Sequence, residues 1–230
     1  MIQHFFKTSL FLLVLFFTSA FTNAYADSIN GGWLGSNGDL IFMVKSNKGT
    51  VMALDVTAEK KLRYVFTGTM TGDQLNLATR DGLTTLDATV AGDTLTGVIT
   101  PTSQAPQDMS AKLYFAYSGS SYDGVWKTDG KEEYLLYASF KVKGAATVIV
   151  PYFSFNADKT VAYNLFMGVP AITNDNGNTS FSGISMLDYS VLKLGFTSTS
   201  IANASWFKGN KVTKFTTNKT YAVTKKSGEF

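Results

Sequence analysis

The sequence contains no cysteine. No disulfide staples this chain, and no thiolate is available as a metal ligand or nucleophile. The single histidine, His4, lies in an apolar leader. The rest of the chain therefore has no Ser-His-Asp triad, no Cys-His dyad and no histidine zinc site. Arginine occurs only as Arg63 and Arg80. That weighs against nucleic acid as a partner, because arginine makes the bidentate contacts to guanine. Glutamate is confined to Glu59, Glu132, Glu133 and Glu229. Glu132 and Glu133 are neighbours at a strand start and point to opposite faces, so they flank one sugar bond only if a bulge turns one of them. Asp73 and Asp93 read as hairpin corners. The expectation is a protein that is not an enzyme and holds no metal and no cofactor.

Long apolar runs are also missing after Asp27. Residues 1–26 read as a signal peptide: Lys7 is the positive start, "SLFLLVLFFTSAF" the short apolar stretch, and "AYA" at 24–26 the small-residue cleavage pattern. A secreted protein, periplasmic or extracellular, with no membrane span in its mature chain is expected. An outer-membrane barrel is the weaker alternative. Counting back in twos from Phe230 gives Gly228, Lys226 and Thr224, a poor lipid-facing register. The formal net charge is +3. The tail from Lys208 to Phe230 sets Lys208, Lys211, Lys214, Lys219, Lys225 and Lys226 against Glu229. Such a stripe reads as a solvated surface guarding strand edges rather than as a site for an anionic polymer.

What the chain does have is a beat of turn signals, roughly every ten residues, between alternating β-formers. Asn37-Gly38, Asn47-Lys48-Gly49, Gly72-Asp73, Asp81-Gly82 and Gly92-Asp93 mark the first half; Asp129-Gly130, Lys143-Gly144, Asp158-Lys159, Asn176-Gly177 and Gly209-Asn210 mark the second. In "TTLDATV", Thr84, Leu86, Ala88 and Val90 share one face, the pattern of a sheet with one wet side. About eight strands fall in each half. "ISMLDYSVLKLGF" also fits a helix by its apolar spacing; strand is favoured because "DGLTTLDATV" holds the same place in the first half. "NDNGN" at 174–178 clusters oxygen donors but lacks the downstream glutamate of a calcium loop, so it reads as a polar loop.

The two halves open alike. "INGGWLGSNGD" and "YDGVWKTDG" each set a small polar residue, Asn30 or Asp123, before Gly-x-Trp. With matching turn spacing downstream, the chain reads as a tandem duplication: repeat 1 over 27–119, repeat 2 over 120–230, with extra residues in the second copy between Val161 and Ser180. Gly31 and Gly124 are expected to clear space for a neighbouring backbone, and Trp33 and Trp126 to plug a core. This opening, followed by a meander, resembles the lipocalin and avidin group of up-and-down barrels, and "GGWLGSNGDL" is similar in texture to the avidin start. The resemblance implies an eight-stranded, ligand-holding or scaffold barrel; it carries over no binding residues.

The expected fold is all-β, with two tandem antiparallel meanders forming small up-and-down barrels or barrel-like sandwiches. Aromatics gather mid-chain in "KLYFAYSG", "EYLLYASF" and "PYFSF". Alternation puts Leu113, Phe115 and Tyr117 on one face, and Tyr134, Leu136 and Phe140 on another. Phe115, Tyr117, Tyr134 and Phe140 are the candidate ligand-binding residues; a packed core is the plainer reading. The expected function is a non-enzymatic module holding a small apolar or aromatic ligand in a barrel. The alternative is a structural or interaction protein with filled barrels, acting through its surface on a protein partner. A carboxylate-based hydrolase is the least favoured.

Overall fold

The computed structural model describes residues 29–46, 48–129, 131–157, 160–209 and 215–225, the strands over 208–209 and 215–224 at the backbone alone. The leader, Asn47, Gly130, Asp158, Lys159, Asn210 and the side chains of most of the lysine-rich tail lie outside it.

The regular structure of the described residues is strand throughout. β1 (Gly31–Gly35), β2 (Leu40–Lys45), β3 (Thr50–Val56), β4 (Leu62–Thr71), β5 (Gln74–Thr79), β6 (Thr84–Ala91), β7 (Thr94–Pro101) and β8 (Gln107–Ala116) each pair antiparallel with the next, and β8 returns to β1 to close a barrel. The second copy supplies β9 (Gly124–Thr128), β10 (Glu133–Val142), β11 (Ala145–Phe155), β12 (Val161–Gly168), β13 (Ile172–Thr173), β14 (Thr179–Ser185), β15 (Val191–Phe196), β16 (Ile201–Gly209) and β17 (Phe215–Lys225). β17 pairs with β9, and β12 pairs with β14 through three residues, so this sheet also comes back on itself. The fold is thus all-β, two meanders in tandem. The extra residues of the second copy form β13, a two-residue strand hung on β14. "ISMLDYSVLKLGF" is neither one strand nor a helix: it is the end of β14, a corner, and β15.

The turns follow their residues. Gly72 and Gly92, each at φ +61, take the first central place of two-residue hairpins, where a positive φ is required. Lys143 (φ +47) and Gly144 (φ +82) close β10 onto β11 with both central residues left-handed. Pro151 sits in a central strand, unusual for a residue without an N–H. The β10–β11 ladder has a gap there, between Leu135↔Tyr152 and Ala138↔Ile149.

The buried apolar residues form three cores. One fills the first barrel, with Trp33, Met43, Phe66, Leu75 and Leu86 at its centre. A second fills the described part of the other barrel, with Trp126, Tyr137, Phe166, Phe181 and Leu194. The third belongs to neither interior. It joins the outward faces of β2, β3 and β8 to those of β9–β12 (Phe42, Met52, Leu54 and Phe115 against Leu136, Phe140, Ile149 and Phe153), so the barrels are packed wall to wall. The strands at this seam are therefore buried on both faces, and "LIFMV", "TVMALDV" and "YLLYASF" are near-continuous apolar runs for that reason.

Candidate functional site

All four sequence-proposed ligand residues lie in the seam between the barrels. Phe115 and Phe140 stack across it, centroids 4.1 Å apart at 18°. Phe42, at 6.2 Å, and Tyr117, at 6.3 Å, both flank the Phe115 ring. Tyr134 stacks on Phe153 of the neighbouring strand, 5.1 Å apart at 8°. Tyr134, Leu136 and Phe140 do share a face, as alternation requires. Leu113, Phe115 and Tyr117 do not. Gly32 pairs with Phe115 but Trp33 with Leu113, so Tyr114 is an extra residue, a β-bulge. The bulge leaves Leu113 facing the barrel interior and turns Phe115 and Tyr117 outward to the seam. The Phe115 ring lies over Gly32, where a Cβ would come within 2.4 Å of it. Burial drives the Tyr117 hydroxyl well above its ordinary value, and the hydroxyl has no hydrogen-bond partner.

Trp33 and Trp126 are wholly buried inside their barrels, and each donates its indole N–H at 3.0 Å to the carbonyl four residues back, of Ile29 and Tyr122. Asn30 Oδ1 accepts the amide of Lys45 on the next strand at 2.6 Å; Asp123 Oδ1 accepts that of Ser139 at 2.7 Å. The repeated motif is thus the same bonding pattern made twice. The two glycines differ. At Gly31 a Cβ would meet the Phe115 carbonyl at 2.3 Å, a close approach of β8, whereas Gly124 is held at φ +134, which side chains rarely adopt.

Two polar clusters were not foreseen from the sequence. At one end of the first barrel Arg63 binds both Asp55, Nε to Oδ2 at 2.8 Å, and Asp39. Burial pushes the Asp55 carboxyl up against the lowering pull of Arg63. Asp39 Oδ1 also accepts the Ala58 amide at 3.1 Å. The cluster ties the start of β4 to the end of β3 and to the turn before β2. The only sequence hint was an aspartate at an inward position of "TVMALDV". At the seam, Glu132 takes Lys127 at 2.7 Å, the Tyr134 hydroxyl at 2.7 Å and Arg80 of the other barrel at 3.0 Å. The Lys127 bond first, then Tyr134, hold its carboxyl down at about 2. Arg80 also lies 5.1 Å over the Phe155 ring. Both arginines are thus committed within the fold. In 174–178, Asn174 Oδ1 accepts the amides of Asn176 and Asn178, and the segment is the β13–β14 turn.

The outer walls differ in chemistry. Across β4–β8 these outward rows are polar apart from Val98: Thr69, Asn76, Asp87, Val98, Asp108, then Thr71, Gln74, Thr89, Thr96, Ser110. On the second barrel, paired positions line up Met167, Ile184, Val191 and Phe207 across β12, β14, β15 and β16. Ile184 is 58% exposed, and the adjoining corner adds exposed Leu187 and Tyr189. Beside this apolar row a shallow hollow of about 350 Å³ lies over Gly195, lined by Ser180, Ser182, Lys193, Asn203 and Ser205. Gly195 leaves it open, because a Cβ there would have only the Asn203 carbonyl, at 4.0 Å. The outer wall of β14–β16 is the candidate site, and its chemistry is that of contact, one apolar row bordered by hydroxyls, an amide and one ammonium.

Among the described residues no helix is long and apolar enough to cross a membrane. No protein-family model matches the chain, and no curated protein matches its sequence.

Proposed function

We propose that the chain is a non-enzymatic interaction protein: two filled barrels, locked wall to wall, that engage a protein partner through the outer wall of the second barrel. The observation that carries this reading is where the large side chains go. Trp33 and Phe66 occupy one interior, and Trp126, Phe166 and Phe181 the other, all under 2% exposed. Ligand pockets in small barrels need that volume for the guest. The four aromatics first considered as a ligand cradle are packed in the seam core, Phe115 on Phe140 and Tyr134 on Phe153. The exposed Ile184, with Leu187, Tyr189 and the hollow beside them, is the surface this reading gives to a partner. The polar outward rows of β4–β8 speak against a lipid-facing wall, which is apolar at every second position.

Native mass spectrometry of the chain, isolated gently from its host, tests the proposal. A protein-sized addition that Ile184→Lys abolishes supports it. A reproducible small-molecule addition that survives Ile184→Lys and leaves on denaturation overturns it in favour of a ligand-holding barrel.

A further inference from the structure

The β5–β6 corner of the first barrel and the β14–β15 corner of the second hold the same place in their meanders. Each lies between two hydroxyl residues at the same spacing, Thr79 and Thr84 in one, Ser185 and Ser190 in the other. Both turn through a left-handed residue. Repeat 1 uses Gly82, at φ +70, where no side chain is strained. Repeat 2 uses Tyr189, at φ +60. For a bulky side chain this conformation is an outlier that costs stability. The other non-glycine residues at positive φ among those described are lysines, Lys60 and Lys143. The Tyr189 ring returns little of that cost within the fold: it is 70% exposed and belongs to none of the three cores.

The corner is nonetheless fixed. Ser185 Oγ accepts the amides of Leu187 and Asp188, each at 3.0 Å, and donates to Asn164 Oδ1 on β12 at 2.6 Å. Asp188 Oδ1 accepts the Ser190 amide at 3.0 Å, the Ser190 hydroxyl at 2.6 Å and the Asn164 side-chain amide at 3.2 Å. Asn164, Ser185 and Ser190 are buried. A polar network drawn from β12 and from the ends of the corner thus holds Leu187 and Tyr189 out in solvent, on the wall that exposes Ile184. Asp188 stands between them, exposed as well, and carries the one charge of residues 184–191.

Resting on the interaction reading of this wall, we infer that the corner is a preformed anchor: Leu187 and Tyr189 enter an apolar pocket of a partner protein, and a cation at the rim of that pocket meets Asp188. A strained, fixed and exposed aromatic suits an anchor, because its ordering is complete before the partner arrives. Tyrosine brings large contact area and few rotamers to lose. The carboxylate decides the class of partner. Between two apolar side chains, it would be pressed against an anionic lipid surface, where interfacial segments present lysine and arginine instead. A basic-rimmed protein pocket is its complement.

Tyr189→Gly in the full chain separates a ring kept for the fold from one kept for a partner. Its urea midpoint is expected at or above that of the wild type. In native mass spectrometry of the host-isolated chain, the bound-to-free ratio of the protein-sized addition is expected to fall about tenfold or more. Asp188→Asn keeps Oδ1 for the corner and removes the charge; it is expected to lower the ratio several-fold. A urea midpoint below that of the wild type, or failure to fold, overturns the inference, since the ring then serves the fold. So does a ratio unchanged in Asp188→Asn. An addition that Ile184→Lys abolishes and Tyr189→Gly leaves intact overturns the anchor and spares the interaction reading, whereas no protein-sized addition to the wild type overturns both. Pelleting of the purified wild type with phosphatidylglycerol vesicles, abolished by Tyr189→Gly, overturns it in favour of a lipid surface.

Discussion

Gly32 is where a single hydrogen matters most. Its missing Cβ lets the Phe115 ring lie on β1 and reach Phe140. Gly32→Ala is expected to push that ring off its stack and to cost about 1–3 kcal/mol, the usual range for overpacking. Urea unfolding measures it, and Phe115→Leu in the same background should recover part of the loss. Glu132 gives the pH test at this scale. Its carboxyl is held at about 2, first by Lys127. A depressed carboxylate contributes stability that is present above its ordinary pKa and lost as pH falls toward the lowered value. Glu132→Gln is thus expected to lower the urea midpoint at neutral pH and to leave it unchanged near the acid limit. With its side chain 41% exposed, the effect is small and shrinks in high salt.

At the scale of strands, most of the fold was legible. Glycine-bearing corners and period-two alternation located the strands of both barrels, and the repeated Gly-x-Trp located their beginnings. The faces of β8 were misjudged, because alternation assumes one residue per step and Tyr114 inserts an extra one. The seam was missed for a related reason. "LIFMV" and "YLLYASF" were not weighed for burial on both sides, yet their unbroken apolar runs are what two buried faces require. The outer-wall site left little trace, since a row such as Met167, Ile184, Val191 and Phe207 exists only once register is known. Register also supplies the prediction for this scale. A double-mutant cycle of Phe115→Ala and Phe140→Ala, on β8 and β10, is expected to give a coupling of about 0.5–1.5 kcal/mol, as for paired aromatics. A coupling near zero, read from denaturant titrations, would mean that the stack contributes nothing beyond its area.

For the whole molecule the wall-to-wall core is expected to make the two barrels one unfolding unit. Scanning calorimetry of the full chain should show a single transition whose calorimetric and van't Hoff enthalpies agree. Residues 29–118 alone would expose Phe42, Met52, Leu54 and Phe115, an apolar patch that isolated domains do not leave in water. That fragment is expected to self-associate in sedimentation, and lysine at Leu54 and Phe115 to return it to a monomer.

The seam also bears on how the two halves can vary. A lone barrel has its outer strands in water; here β2 and β3 of one and β10 and β11 of the other are each other's environment. From then on a change at Phe115 is judged by Phe140, and one at Arg80 by Glu132. The interiors can drift separately so long as each tryptophan keeps its carbonyl four residues back. The walls cannot: along the faces where they meet, the two halves are bound to change as a pair.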